Sequence, residues 1–414
     1  MRATAAHLFE TRGYSATTMA DIASATGILP GSLYHHFASK EDIAIAIVAQ
    51  FERELGAVYA EEERADPAPD PETGMRQFAA RVMTASLRNA AAVRLLSYEP
   101  PTVASEQMRA ALLMPAAPQT RLWKQHMSRL RAAGTVEPAL IPLLGFALGT
   151  STLLAPVTYS LKHEPERLAA LMCDVLFHGI AVDSPSSVDL ERSEATAAAL
   201  EMMATWPQPD AATEPGSSAA GILFAAKREF ARRGYHATTV RDIAEAAGVR
   251  MGTLYRRIES KEALLEDILQ SYSTHMGTAI RAVLEAGGTP IESIDAYARV
   301  FIHGRHRFPL EMEIVKYGSF GRDTPGSPFH THHQQVSARR VVLEAVITDG
   351  LVNGAIRELG SAAELADQIR AISWLPYREH APATERKALE FFRRSVLGGL
   401  MQHESTTAKD LELT

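Results

Sequence analysis

The chain has 414 residues and a formal net charge of −7, so any affinity for nucleic acid must come from a local basic surface. Its composition, 46% apolar and 22% charged, is globular and excludes a disordered or collagen-like chain. The single cysteine, Cys173, excludes a disulfide framework and a cysteine-rich metal site. Charged residues interrupt the N-terminus where a signal peptide would be apolar, so we expect a cytoplasmic protein.

One segment occurs twice in the chain, at a shift of 221 residues. Residues 9–41 read FETRGYSATTMADIASATGILPGSLYHHFASKE, and residues 230–262 read FARRGYHATTVRDIAEAAGVRMGTLYRRIESKE. The two stretches share 18 identities in 33 positions, which chance does not produce. The chain is therefore predicted to contain two copies of one structural unit, and the rest of each half has diverged.

Each copy predicts the same order of short helices. Apolar residues at helical spacing run up to Gly13 in the first copy and Gly234 in the second, where a helix stop is expected. Capping-box sequences starting at Thr18 and Thr239 then open a second helix. A glycine turn, a short third helix and a serine that can cap a fourth helix follow. This order is that of a helix-turn-helix.

The pattern F…GY.ATT…IA..AG…G.LY…..SKE resembles the DNA-binding domain of TetR-type transcriptional regulators. The resemblance implies an all-α fold in which two TetR-like helical units in one chain form a pseudo-dimer. Each unit would begin with a helix-turn-helix DNA-binding domain and continue into a helical ligand-binding and dimerisation domain. The expected segments are a first DNA-binding domain at 1–50, its body at 51–182, a linker at 183–219, a second DNA-binding domain at 220–269, its body at 270–404 and a tail at 405–414.

The resemblance also assigns DNA contacts. The residues at family positions that touch phosphates are Thr17, Thr18, Tyr34 and Lys40 in the first copy and Thr238, Thr239, Tyr255 and Lys261 in the second. Both lysines start a helix, where backbone N–H groups attract a phosphate. For the tyrosines, partial core packing with an exposed hydroxyl is the alternative. Base reading is expected at the start of the third helix, from Leu29, Pro30, Gly31 and Ser32 and from Arg250, Met251, Gly252 and Thr253. His35 and Arg256, which differ between the copies, are expected to contact DNA as well.

The two copies differ where bases would be read. Leu29 and Pro30 carry no side-chain donor, so the first copy should read thymine methyl groups and DNA shape. Arg250 can bond guanine O6 and N7 together, although a phosphate contact is the alternative for it. Residues 1–45 contain 3 Lys and Arg against 4 Asp and Glu, a net −1, whereas residues 221–265 contain 9 against 5, a net +4. The second copy should hold DNA more tightly, on an operator that is not palindromic.

Long helical stretches follow each DNA-binding segment. By the resemblance, 138–161 and 165–182 are the dimerising helices of the first half, and 362–375 and 384–400 are their counterparts. The segment 138–161 has no charged residue and is long enough to span a bilayer, but its prolines and small polar residues favour a helix buried in a bundle. There Gly145 and Gly149 would let another helix approach closely.

A pocket for an apolar or aromatic effector is expected among aromatic and apolar residues of the bodies, each of which could instead be plain core. The candidates are Met83, Leu87, Tyr98, Trp123 and Met127 in the first half and Phe301, Phe308, Met312, Tyr317 and Phe320 in the second, which is the favoured half. Operator DNA and this effector are the expected partners. We expect no membrane partner, and a monomeric pseudo-dimer of which two copies could still pair on a long operator.

The remaining motif is the histidine cluster His330, His332 and His333. It could bind a metal, but the Gly-, Pro- and Ser-rich stretch 318–335 favours a solvated loop, so neither a metal nor a cofactor is predicted. No catalytic motif supports an enzyme. Three hypotheses remain: a ligand-gated repressor, which we favour, a DNA-binding regulator whose bodies serve as a scaffold, and a metal-responsive regulator.

Overall fold

The structure is a computed structural model that describes residues 1–97, 105–112, 116–134, 136, 138–158, 164–207, 216, 218–317, 327–374 and 384–401. These residues form helices joined by turns, and the extended pairing among them is limited to two isolated backbone bridges. The prediction of an all-α fold is confirmed.

The first half consists of a small N-terminal head of short helices followed by a helical body. The head comprises α1 (Arg2–Arg12), α2 (Met19–Thr26), α3 (Pro30–His36) and the start of α4 (Lys40–Arg64). The body continues with α5 (Pro71–Arg88), α6 (Ala90–Ser97), α7 (Glu106–Leu112), α8 (Ala116–Ala132), α9 (Ile141–Leu153), α10 (Ala155–Thr158) and α11 (Pro165–His178).

The second half repeats this plan after two short helices, α12 (Ser187–Arg192) and α13 (Glu194–Ala204). Its head comprises α14 (Ala219–Arg233), α15 (Val240–Ala246), α16 (Met251–Tyr255) and the start of α17 (Lys261–Glu285). Its body continues with α18 (Pro290–Arg307), α19 (Pro309–Tyr317), α20 (His330–Val352), α21 (Ala362–Trp374) and α22 (Glu385–Phe392), which runs into a π-helical turn, Arg393–Leu397.

The helix boundaries of the heads follow the predicted signals. Both capping boxes are present: the Thr18 hydroxyl accepts from the Asp21 backbone N–H while the Asp21 carboxylate accepts from the Thr18 N–H, and Thr239 with Asp242 repeats this arrangement. Helices α1 and α14 stop at glycines with φ of 88° and 78°, a backbone conformation that favours glycine. The helix starts and stops predicted for the heads are therefore confirmed.

The core of the first body surrounds α5. The ring centroid of Phe78 on α5 lies 4.7 Å from that of Trp123 on α8. On α9, a Cβ added at Gly145 would lie 3.2 Å from Met127 Cγ, and one at Gly149 would lie 3.4 Å from Trp123 Nε1. These glycines therefore allow α8 and α9 to approach closely, as predicted.

The uncharged segment 138–161 is shorter as a helix than predicted. Helix α9 ends at Leu153, and α10 follows only after Leu154, while residues 159–161 lie outside the described part of the chain. Leu144, Ala147 and Leu148 are fully buried, as expected for a bundle helix. No helix in the described ranges is both long and apolar enough to cross a bilayer.

Part of the segment predicted as a linker packs into the second body. Helix α13 lies against α17 and α18, and its side chains Ala199 and Met203 are buried. After it, the Trp206 ring lies 5.1 Å from Phe308 and 5.4 Å from His303, and its carbonyl accepts a hydrogen bond from Arg307. The segment between the two units is thus packed against the second body before the second head begins.

The two halves meet where their last helices end. A Cβ added at Gly179 would lie 2.2 Å from Leu397 O, and one at Gly399 would lie 2.3 Å from the carbonyl carbon of His178. Across this contact Ile180 N donates to Val396 O at 2.8 Å. Both glycines have positive φ, 69° and 81°, and α11 therefore stops at His178, before the predicted end at 182.

The prediction that 318–335 is a solvated loop is wrong for 330–335, which form the first turns of α20. Residues 318–326 lie outside the described part. Phe329 is buried before the helix, and His332 is buried with its Nδ1 2.9 Å from Ser273 Oγ, so packing starts the helix here. Within the described ranges, no group of three or more His, Cys, Asp or Glu side chains could hold a metal ion.

Candidate nucleic-acid interface

The short third helix of each head presents large side chains to solvent. Leu29, before α3, is 79% exposed, and Tyr34 on α3 is 53% exposed. Tyr255 on α16 is 61% exposed, and Arg250, before α16, is also exposed. More than half of each tyrosine faces solvent, so both are accessible to DNA, and the alternative of partial core packing with an exposed hydroxyl stays open.

One buried leucine anchors each of these helices to its head. Leu33 on α3 and Leu254 on α16 are fully buried, and Phe37 and Ile258 pack against the core one turn later. Added Cβ atoms at Gly31 and Gly252 would meet nothing within 4 Å. The outer face of α3, which also carries the exposed Pro30 and Ser32, is thus open to a macromolecule. On α16, Met251 and Thr253 are half-buried, and Met251 packs against the core.

The lysines predicted to contact phosphates are engaged inside the heads. Lys40 Nζ donates to Tyr14 O at 2.7 Å and Thr17 O at 2.8 Å, and it lies 4.2 Å from the centroid of the Tyr14 ring. Lys261 repeats each contact with Tyr235 and Thr238, at 3.0, 2.9 and 4.2 Å. Burial lowers the pKa of Lys261. The two ammonium groups therefore close the turn between the first two helices of each head.

The threonine positions divide in the same way in both copies. The side chains of Thr17 and Thr238 are buried, and their hydroxyls donate to the carbonyls of Gly13 at 2.7 Å and Gly234 at 2.9 Å. A side-chain contact with a phosphate, as expected for these two positions, is excluded by this burial. Thr18 and Thr239 are exposed in their capping boxes and stay available to DNA.

The second head displays more positive charge than the first. Arg250, Arg256 and Arg257 are exposed around α16, and Arg256 Nε donates to Gly252 O at 3.2 Å. At the positions of Arg256 and Arg257 the first head has His35 and His36, which are also exposed. Three of the six additional basic residues of the second copy thus lie around the short helix.

The heads are attached to their bodies through different contacts. In the first half, Arg94 Nη1 of α6 donates to Glu10 O at 2.7 Å. In the second half, Lys227 of α14 forms a 2.6 Å ion pair with Glu311 of α19, and both side chains are mostly buried. Each head is therefore in direct polar contact with the body that follows it.

Residues 2–47 and 222–268 match the family of bacterial regulatory proteins called the tetR family. The transcriptional repressor KstR2 of Rhodococcus jostii (strain RHA1) is 33% identical over 174 residues, covering 39% of this chain and 78% of that protein. KstR2 of Mycolicibacterium smegmatis is 26% identical over 201 residues, covering 47% and 97%. The solved structure of the ketosteroid transcriptional regulator KstR2 of Mycobacterium tuberculosis has 22% identity and a TM-score of 0.38, covering 43% of this chain and 92% of that one.

The chain belongs to the TetR family. It is a DNA-binding transcriptional regulator with two copies of the family's DNA-binding domain, since that domain matches once in each half. The matches span 97% and 78% of the two KstR2 sequences, but each spans less than half of this chain. This agrees with the two-unit organisation predicted from the repeat.

The pocket candidates of this TetR-family chain lie in the interiors of the bodies. Met83, Trp123 and Met127 are buried in the first body, and Leu87 is half-buried. Phe301, Phe308 and Met312 are buried in the second. Tyr98 and Phe320, and the side chain of Tyr317, lie outside the described part. Burial alone does not separate core from pocket wall, and a pocket role for these residues stays a prediction.

Several polar residues of the bodies were missed by the sequence reasoning. His126 in the first body bonds Glu62 at 2.9 Å and stacks on Phe78. In the second body, Arg339 and Gln368 project polar atoms into the interior. Helix phase could have placed Arg339 and His332, seven residues apart, on one face of a helix, but only if 330–335 had been predicted as helical.

Proposed function

We propose that one chain acts as a transcriptional repressor whose two non-equivalent heads bind two different half-sites of one operator. The observation that carries this proposal is that one chain holds two heads, each attached to its body, whose outer faces carry different residues. Leu29, Pro30, Gly31 and Ser32 are open in one head, and Arg250, Met251, Gly252 and Thr253 are the corresponding residues of the other. Identical half-sites follow from identical recognition helices, so unlike helices favour an asymmetric operator.

The contact between the halves supports binding by a single chain. Beside the close contact of Gly179 with Gly399, backbone hydrogen bonds such as Ile180 N to Val396 O and Met401 N to Phe177 O join the two bodies and hold them together. Heads carried on such a frame would meet successive major grooves with centres about 34–36 Å apart. The proposed DNA-contacting side chains are the exposed ones, including Tyr34, Tyr255 and Arg256.

Selection of bound sequences from a random duplex library, with the full chain as bait, tests this proposal. The expected result is two unlike half-sites about 10 base pairs apart. A palindromic consensus would overturn the proposal. A footprint on the selected duplex, compared between wild type and Arg250→Ala, assigns each half-site to its head.

We further propose that an apolar or aromatic effector binds in the second body and weakens DNA binding. The support is a chain of contacts from body to head: the ring of Phe329, next to α20, lies 6.0 Å from the Tyr235 ring, and Lys261 rests on that same ring. Tyr235 also donates to Glu262 at 2.8 Å. A ligand that shifts the start of α20 would therefore disturb the turn that positions α16.

The required coupling is modest, about 1–3 kcal/mol, which is a 5- to 150-fold loss of DNA affinity. A thermal-shift screen followed by DNA titration with each hit tests this part. Hits that stabilise the protein and leave DNA affinity unchanged would instead support the second candidate function, a regulator whose bodies act as a scaffold. Phe329→Ala should reduce the coupling more than Leu343→Ala, which removes a buried side chain farther along α20.

A further inference from the structure

The interior of the second body contains polar atoms that have no hydrogen-bond partner among the described residues. Among them are His332 Nε2, Arg339 Nε and both amide atoms of Gln368. His332 is 3% exposed and Gln368 is fully buried. Native proteins leave few buried donors and acceptors unsatisfied, because each costs about 1–3 kcal/mol. Such atoms also occur in the first body, at Tyr59 Oη, Trp123 Nε1 and Ser151 Oγ, so it is the placement of His332 and Arg339 on one helix that points to a missing partner.

Two of these residues lie on one face of α20 and meet the same residue of α17. Seven residues separate His332 from Arg339, about two helical turns. His332 Nδ1 lies 2.9 Å from Ser273 Oγ, and Arg339 Nη1 donates to Ser273 O at 3.4 Å. Because helical side chains lean towards the N-terminus, the Arg339 guanidinium is directed towards His332. The interior between α17 and α20 is thus lined by donors.

The charge of Arg339 is not compensated by a carboxylate in the described part. The ionisable groups that act on it are Tyr272 and Tyr297, and burial raises the pKa of both to about 12, so both are neutral. Burial also lowers the pKa of His332 to about 3, which leaves its ring neutral. Arg305 and Glu311 also act on Tyr272, and Arg370 and Asp367 on Tyr297. Arg339 thus adds a positive charge that no carboxylate pairs with in the described part, and an unpaired charge is costly away from water.

The neighbouring arginine shows what a paired guanidinium looks like on the same helix. Arg340 Nε lies 2.8 Å from Asp367 Oδ1, and its Nη1 lies 3.0 Å from Glu344 Oε2. In the first body the buried histidine is also satisfied, since His126 bonds Glu62. Arg339 thus lacks the carboxylate partner that its neighbour Arg340 has.

We propose that this region binds the carboxylate of a small molecule, with Arg339 and His332 as the recognising residues. A monocarboxylate matches the one charge of Arg339 that has no carboxylate partner, whereas a phosphate monoester would bring nearly twice that charge. When the Ser273 hydroxyl donates to His332 Nδ1, Nε2 carries the proton and donates to the carboxylate. Tyr272, whose ring lies 5.6 Å from Phe308 and whose hydroxyl reaches Met312 Sδ, offers an apolar wall for the rest of the ligand.

This inference rests on the proposed effector control and adds an acid group to the expected ligand. Calorimetric titration of the full chain with ω-phenyl carboxylic acids, from phenylacetate to 6-phenylhexanoate, tests it, with the matching amides and phenylalkyl phosphates as comparisons. At least one acid should bind ten times more tightly than its amide and than the phosphate of similar length. Arg339→Met should weaken that acid at least tenfold, and Arg340→Met should change it less than twofold.

Thermal unfolding without ligand gives a second reading. Arg339→Met should raise Tm, because it removes an uncompensated buried charge, whereas Arg340→Met should lower Tm by removing two ion pairs. Any one of four results would overturn the carboxylate site. These are failure of every acid to bind, equal binding of acid and amide, tighter binding of the phosphate, and a lower Tm for Arg339→Met. DNA titration in the presence of the bound acid tests the proposed effector control separately. An acid that binds without changing DNA affinity would refute the effector control, while the carboxylate site would still stand.

Discussion

The two heads of this TetR-family chain share their internal bonds and differ on their outer faces. Lys40 and Lys261 have the same role, because each donates to two carbonyls of the turn before the second helix. Outside, Leu29 in one head corresponds to Arg250 in the other. The comparison teaches that one set of internal contacts can hold two different reading surfaces.

The bodies differ in a complementary way. The first body surrounds Phe78 and Trp123, and its buried His126 is hydrogen-bonded. The second body encloses Arg339 and Gln368 with polar atoms that lack partners in the described part. Buried polar atoms without a partner occur in both interiors, including Tyr59 Oη and Trp123 Nε1 in the first, but the guanidinium of Arg339 distinguishes the second because no carboxylate pairs with it in the described part. We therefore expect effector control to act through the second half.

The largest expected effect comes from separating the halves. Gly179→Val places a side chain 2.2 Å from Leu397 O at a residue with φ of 69°, so we expect a loss of more than about 4 kcal/mol in the free energy of unfolding. Urea denaturation followed by circular dichroism measures it. Gly277→Ala on α17, where an added Cβ meets nothing within 4 Å, is the control and should change stability by less than about 1 kcal/mol. Similar curves for both variants would show that the glycine contact does not hold the halves together.

The roles of the lysines can be separated from those of the exposed arginines. Lys261→Met removes hydrogen bonds to two carbonyls, so we expect a loss of about 1–3 kcal/mol in stability and an unchanged salt dependence of DNA binding. Arg256→Met, on the exposed face, should leave stability nearly unchanged and reduce the salt slope by about 0.9. A flatter salt dependence for Lys261→Met without loss of stability would restore the phosphate contact predicted from the sequence.

The unlike outer faces predict unlike responses to truncation. Arg250→Ala should cost about 1–3 kcal/mol at one half-site and nothing at the other, if the guanidinium reads a guanine. Leu29→Ala should give a smaller loss at the opposite half-site, because it removes only apolar contact. Titrations with operators altered in one half-site at a time measure both. Equal loss for Arg250→Ala on selected and random duplexes would make that residue a phosphate contact.

The smallest expected effect concerns an ion pair between the halves. Burial would raise the pKa of Glu364, but hydrogen bonds from Ser361 and the Arg167 guanidinium outweigh it and lower the pKa to about 2. A depressed carboxyl pKa contributes stability above about 4.5, the ordinary value, and loses it as the pH falls through about 2. Because Arg167 is largely exposed, Arg167→Gln should cost no more than about 1 kcal/mol at pH 7.

Thermal unfolding of wild type and Arg167→Gln across pH 2–7 measures this contribution. The difference in Tm should shrink as the pH is lowered, because protonation of Glu364 removes the pair in the wild type as well. A difference that stays constant or grows towards pH 2 would mean that Arg167 stabilises the halves by some other contact.

The sequence predicted the heads well because their signals are local. Capping boxes, glycine stops and the exposed third helix each depend on residues within a few positions of one another, as at Thr18 with Asp21. The internal role of Lys40 could not be predicted, since its partners Tyr14 and Thr17 lie 26 and 23 residues away. In the sequence, the position of Lys40 at a helix start favoured a phosphate contact, and nothing nearby in the chain indicated the internal one.

The bodies were predicted less completely because their features depend on packing. Arg339 and Arg340 are neighbours of the same type, and only the phase of α20 decides that one meets Asp367 and the other faces the interior. The contact between Gly179 and Gly399 depends likewise on how the last helices meet. The start of α20 was missed because the Gly-, Pro- and Ser-rich composition before Phe329 resembles a loop.

The central claim is that one chain supplies both heads to one asymmetric operator. The most direct measurement is the mass of the complex between the full chain and the duplex chosen by sequence selection, determined by native mass spectrometry. We predict one chain of 45.1 kDa per duplex, on a site with two unlike half-sites. Two chains per duplex on a palindromic site, with no complex of one chain at any protein concentration, would contradict the claim.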